Sequence, residues 1–134
     1  MELSGLNLAA MAEEGYDLQL VHPATHEKLD GVIRIRGDKS KVVQSYVRKL
    51  VNEQLKKERV QKGKNQEPVL NLEEIEDRNV ESAVVRIISW KNITKDGQEV
   101  PFTKENATQI LKDYDWIRSQ IMEASEELLN FQPK

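Results

Sequence analysis

The fold class predicted for this chain is mainly α, a helix-dominated α+β domain in which an N-terminal β-hairpin is followed by about four helices. Three observations predict it. Tyr16-Asp17-Leu18-Gln19-Leu20-Val21 alternates apolar and polar residues for most of its length, and the β-branched Val32-Ile33-Arg34-Ile35-Arg36 follows. Beyond residue 38, apolar positions recur at helical spacing between cap and breaker residues. Charged residues make up 32% and apolar ones 38% of the 134, which suits slender packing with much solvated surface and no thick core.

Residues 1–15 lack a strong pattern and are expected to be flexible. Residues 16–134 are expected to form a single domain. Its hairpin turns through His22-Pro23-Ala24-Thr25 and Asp30-Gly31, both turn-prone. A lone hairpin is marginal in water, so it must pack on a helix or pair with another chain. Gly37 ends the second strand, and Asp38 can cap the next helix, with Ser40 as a second candidate. From 39 to about 62, Val43, Tyr46 or Val47, Leu50 and Gln54 or Leu55 track one helical face, supported by the i,i+4 pair Glu53 and Lys57. Such a helix would be about 35 Å long, more than a compact domain of this size needs.

A flexible linker is expected near 63–70, around Gly63-Lys64-Asn65-Gln66-Glu67-Pro68. Asn71 with Glu74 three residues on approximates a capping box, and Ile75, Val80, Ala83, Val84, Ile87 and Ile88 form an apolar stripe. Residues 83–88 would also suit a buried strand. The cap and the Glu74–Arg78 spacing favour a helix through 88. Asp96-Gly97 marks a turn, and Thr103 caps a short helix that carries Ala107, Ile110 and Leu111 inward. Asp113 or Asp115 starts a last helix with Trp116 or Ile117, Ile121, Ala124 and Leu128 on one face and Phe131 near its end.

The chain has no cysteine, which excludes disulfides, thiolate catalysis and cysteine-bound metals. No apolar run approaches the roughly 20 residues a spanning helix needs, and Met1 to Gly15 does not read as a secretory signal; the cytoplasm is the expected compartment. The net charge of −3 is unevenly spread: residues 1–33 carry −5, residues 34–64 carry +8 and residues 65–134 carry −6. That alternation favours self-docking of opposite patches or a charged partner.

No catalytic constellation is evident, and neither an enzyme nor a cofactor is expected. His22 and His26 lie in the hairpin turn, where Pro23 opposes the helix that would let them share a metal. Gly37-Asp38-Lys39-Ser40 misses the phosphate-loop pattern, because Asp38 separates Gly from Lys. Glu73, Glu74, Glu76 and Asp77 read as a solvated helix N-terminus. The basic 34–64 segment, with Arg48, Lys49, Lys56, Lys57 and Arg59, is the candidate partner or self-association surface. A small nucleic-acid-binding or regulatory protein using that helix is the alternative, opposed by the interleaved Glu53 and Glu58 and by Tyr46 as its only aromatic. Trp90, Phe102 and Trp116 are the candidate structural anchor, tying the Asp96-Gly97 loop onto two helices.

One stretch is more specific: Ser89-Trp90-Lys91-Asn92-Ile93, Asp96-Gly97, Val100-Pro101-Phe102-Thr103, Glu105-Asn106-Ala107, Leu111, Tyr114-Asp115-Trp116-Ile117 and Gln120-Ile121. With Val21-His22-Pro23-Ala24-Thr25 and Arg36-Gly37-Asp38-Lys39-Ser40 upstream, it resembles the tail assembly chaperones of long-tailed, non-contractile (siphovirus-type) bacteriophages. The resemblance implies a protein of the host cytoplasm that binds the tape measure protein and the major tail (tube) protein, self-associates into oligomers and is absent from the finished particle. No membrane or cofactor is implied, and nucleic acid is not the expected partner. A head–tail joining protein, which would stay in the particle, is a third reading.

Overall fold

The alternating segments pair as a hairpin. In the computed structural model, which describes residues 1–64 and 71–132, β1 (Tyr16–Val21) runs antiparallel to β2 (Lys28–Ile35) with Tyr16 opposite Ile35 and Leu18 opposite Ile33. The second strand starts earlier than Val32, so Asp30-Gly31 lies inside it and not in a turn. Gly31 is buried where a Cβ would stand 3.0 Å from Ile93 Cδ1 and 3.2 Å from Leu20 Cδ1, so this glycine serves close approach. The turn is closed by His22, whose Nδ1 accepts from the N–H groups of Ala24 and Thr25 at 3.1 and 3.2 Å.

A third strand, β3 (Ile87–Lys91), pairs with the other edge of β2, with Ile33 opposite Trp90 and Arg34 opposite Ser89. The helix expected through 88 therefore ends early, as α3 (Leu72–Val84). The run 83–88 fits both periods. The free edge of β2 decides between them, because its backbone N–H and C=O groups need partners.

The described residues hold five α-helices, not about four: α1 (Leu8–Glu14), α2 (Lys41–Lys64), α3, α4 (Lys104–Asp113) and α5 (Asp115–Glu126). The additional helix, α1, lies in the stretch read as flexible. Asn7 Oδ1 caps it by accepting from Ala10 N–H at 3.1 Å, and Ala12 C=O accepts from Gly37 N–H at 3.0 Å. The linker expected near 63–70 lies, from residue 65 on, outside the described residues. β4 (Thr94–Lys95) and β5 (Gln98–Glu99) form a small hairpin across Asp96 and Gly97, whose φ angles are 53° and 79°. Asn71 and Thr103 cap α3 and α4 as their sequence context predicts, accepting from Glu74 N–H at 3.2 Å and Asn106 N–H at 3.1 Å.

The core joins Leu20, Ile33, Ile35 and Ile87 of the sheet to Val80 and Ala83 of α3, Ala107, Ile110 and Leu111 of α4, and Ile117 and Ile121 of α5. The opposite sheet face is polar, with Asp17 and Arg34 paired at 3.0 Å. Gln120 of α5 covers part of the outer edge of β1: its Oε1 accepts from Val21 N–H at 3.1 Å and its Nε2 donates to Val21 C=O at 2.8 Å. Leu128, expected on the core face of the last helix, is 46% exposed because α5 stops at Glu126. The short 3-10 turn Leu128–Phe131 brings Phe131 back into the core.

A polar knot joins three elements behind this core. Arg86 is 5% exposed; its Nη2 and Nε donate to Asp38 Oδ1 at 2.9 and 3.0 Å, and its Nη1 donates to Ser82 C=O and Oγ at 2.6 and 2.7 Å. Ser125 Oγ accepts from Arg86 Nε at 3.1 Å and donates to Arg36 C=O at 2.7 Å. Asp38 is thus engaged by Arg86, and the buried Ser40, the second candidate, caps α2 by accepting from Val43 N–H at 3.3 Å.

Candidate interaction surface

The 24 residues of α2 give it a length of about 36 Å. Among its described side chains, only those of the first turns are seated. Val43 is fully buried and Tyr46 is 8% exposed, with its hydroxyl 3.5 Å from Arg78 C=O of α3. Burial, and then the Glu81 carboxylate, push the Tyr46 phenol above its ordinary pKa. Beyond Leu50 every residue to Val60 is exposed. Val47, Val51 and Leu55, four apart and so on one face, are 40%, 52% and 48% exposed. Of the expected face, Val43 and Tyr46 are buried and Leu50 is half-buried, whereas the alternatives Val47 and Leu55, with Val51, lie on a side that the described residues leave uncovered. The signal for this in the sequence is the predicted length of the helix.

The candidate cations are all exposed, Arg48 and Lys49 just before Leu50 and Lys56, Lys57 and Arg59 beyond it. Arg48, Lys49 and Lys56 line one shallow groove with Ser45, Asn52 and Glu53. At 100° per residue, Arg59 continues that side and Lys57 falls on the opposite flank of the apolar stripe. Arg48 and Arg59 therefore border the stripe on one side, whereas Lys49 and Lys56 lie toward the opposite face of the helix and Glu58 falls on the stripe itself. Among the described residues, neither Glu53–Lys57 nor Glu74–Arg78 closes into a salt bridge.

The three candidate anchor residues separate into two places. Trp90 and Phe102 meet edge to face, with ring centroids 5.1 Å apart, and Trp90 Nε1 donates to Val100 C=O at 2.8 Å, which holds the strand after the Asp96-Gly97 turn. Trp116 instead lines a cleft of about 470 Å³ with Leu29, Ile93, Ile110 and Tyr114. All three rings pack half-buried against the core. His22 and His26 are exposed in the hairpin turn, and among the described residues no group of three or more histidine, aspartate or glutamate side chains is placed to hold a metal. No helix among those residues is long and apolar enough to cross a membrane.

A family model described as "YdaY prophage protein" matches residues 38–134, from Asp38 of the polar knot through the whole of α2 and everything after it. Neither a curated protein nor a solved structure gives a significant match.

Proposed function

This chain belongs to the YdaY prophage protein family and is phage-derived, and from that premise we propose that it is a tail assembly chaperone acting in the host cytoplasm. It binds the tape measure protein and tail tube subunits during tail morphogenesis and is not retained in the virion. The observation that carries this reading is the exposed part of α2, where the described residues leave Val47, Val51 and Leu55 uncovered beside Arg48 and Arg59. A tape measure helix presents long apolar faces that aggregate in water. A projecting helix with an apolar stripe and a charged border suits covering such a face by helix-on-helix packing. The sequence resemblance supports the same role.

Co-expression with the tape measure protein of the same phage tests the proposal. The expected result is a larger soluble fraction of that protein and its co-purification with this chain. Both are lost with Val51→Asp/Leu55→Asp, whose sites are exposed and do not hold the fold. Purified particles should lack the chain by mass spectrometry. Unchanged solubility with no co-purification overturns the reading, and retention in particles favours a head–tail joining protein.

One observation favours nucleic acid as a second reading, the shared groove of Arg48, Lys49 and Lys56. Tight DNA binding at physiological salt, falling steeply with added salt and abolished by neutralising Lys56, Lys57 and Arg59, would replace the chaperone proposal with that one.

A further inference from the structure

We infer that the outer edge of β1 takes an extended segment of another protein, bearing lysine or arginine, as an added strand bonded to the backbone of Asp17 and Gln19. This surface is separate from α2, and the inference does not depend on the tail-assembly reading.

β1 is an outer strand of the three-stranded sheet. Backbone N–H and C=O groups alternate between the two sides of a strand, so a few known bonds fix the direction of all of them. Arg36 N–H donates to Arg86 C=O at 2.6 Å, on the β3 side of β2. Even-numbered residues of β2 therefore face β3, and Ile33 and Ile35 face β1. Their partners Leu18 and Tyr16 point toward β2 in turn. So does His22, whose N–H donates to Glu27 C=O at 2.8 Å. The irregularity in register after Gln19 adds residues to β2 and not to β1. Asp17, Gln19 and Val21 thus turn their N–H and C=O groups outward.

At Val21 a partner is already in place. The Gln120 side-chain amide accepts from its N–H and donates to its C=O, as a peptide unit of a neighbouring strand would. Two residues back, about 7 Å along the strand, Gln19 presents the same donor and acceptor, and Asp17 presents another pair. Beyond the sheet itself, Gln19 and Asp17 bond among the described residues only through their side chains, to Leu29 C=O and to Arg34. A groove of about 320 Å³ follows the edge, between Leu18 and Gln19 on one wall and Glu123, Ala124 and Glu127 on the other. Past Asn130 a second hollow, of about 350 Å³, continues along Tyr16 and Asp17.

Charge selects the occupant. Glu123 and Glu127 line the groove, and Glu14 and Asp17 line the hollow beyond it. Among the described lining residues the only cation is Arg34, which Asp17 already engages at 3.0 Å. Such walls attract a strand with lysine or arginine and repel an acidic one. They also oppose a second copy of β1, since edge-to-edge pairing would set the acids of both copies together. Main-chain bonds supply the affinity, and apolar residues between the cations cover Leu18 and Ala124.

Hydrogen exchange on the full chain tests this, with a capped peptide of about eight residues alternating valine and lysine as the probe. In the free chain the amides of Asp17 and Gln19 should exchange far faster than that of Ile33. At a peptide concentration about ten times its Kd, both should slow about tenfold, and Leu55 of α2 should not change. The same peptide with glutamate for lysine should not bind. Nor should one N-methylated at every residue, which keeps the charge but cannot donate to β1. Glu123→Lys/Glu127→Gln should weaken binding about tenfold. The glutamine keeps an acceptor for Leu129 N–H, 3.1 Å away, and circular dichroism should find the variant folded. No slowing at Asp17 and Gln19, or equal slowing by the glutamate or N-methylated peptide, overturns the proposal. Amides at Asp17 and Gln19 as protected as Ile33 in the free chain overturn it too: a second copy holds the edge if dilution releases them, and the chain itself does if not.

Discussion

Asp38→Ala removes the counter-charge of a guanidinium that is almost wholly inside the fold. The Arg86 side chain is 6% exposed and that of Asp38 is 32% exposed. Breaking a buried pair by deleting one partner costs about 3–5 kcal/mol, since the other charge stays behind uncompensated. Ser82 and Ser125 still accept from Arg86, so the lower end, about 3 kcal/mol, is expected. Arg86→Met leaves a carboxylate that reaches water, and the cost should be closer to 1–3 kcal/mol. The double variant should lose less than the sum, with a coupling of about 1–3 kcal/mol. Urea unfolding followed by the fluorescence of Trp90 and Trp116 measures all three. A loss of this size is a large part of the roughly 5–15 kcal/mol that holds a domain together. Additivity within about 0.5 kcal/mol, or an Asp38→Ala loss below about 1 kcal/mol, would refute the knot as a coupled unit.

Gly15→Ala should destabilise by about 1–3 kcal/mol, because φ is 92° and the new Cβ would stand 2.8 Å from Ile88 Cδ1. Gly97→Ala, at φ 79° but with nothing within 4 Å, should cost only about 1 kcal/mol, and equal melting shifts would remove the steric argument. The raised pKa of Tyr46 means that the folded chain keeps a proton that the unfolded chain releases near its ordinary 10.0. The associated stability is present below that pH and is lost as pH climbs through the raised value. Tyr46→Phe should flatten the alkaline side of the stability curve, and parallel curves for the two proteins would contradict the assignment. Gln120→Ala should speed amide exchange at Val21 while the central-strand Ile33 stays protected, at a stability loss of about 1–2 kcal/mol. Unchanged exchange at Val21 would show that Gln120 does not guard the edge.

The candidate surface was legible in its chemistry but not in its exposure. The cations of α2 are read directly from the sequence, and Val47 and Leu55 are alternatives on its expected apolar face, whereas Val51 lies outside that face. That Val51 and Leu55 stay uncovered depends on how far the rest of the body reaches along the helix, and only the helix length hinted at it. The aromatic trio was legible as residues but not as a unit: Trp90 and Phe102 meet across one turn, while Trp116 is carried by α5 to a separate cleft.

Taken alone, the sequence determined what ten or so consecutive residues decide. The caps at Asn71 and Thr103, the turn at Asp96-Gly97 and the alternation of β1 follow from local hydrogen bonding and from period, and each appears where those rules put it. Tertiary structure decided the features whose partners lie far along the chain. Residues 83–88 satisfy helix and strand alike, and β2, with its unpaired edge, made Ile87 onward a strand. Arg86 interrupts an apolar run in the sequence, and its burial has a rationale only because Asp38, 48 residues away, is brought against it. A buried charge or a free sheet edge is resolved by whichever group the fold delivers, and spacing along the chain carries no record of that delivery.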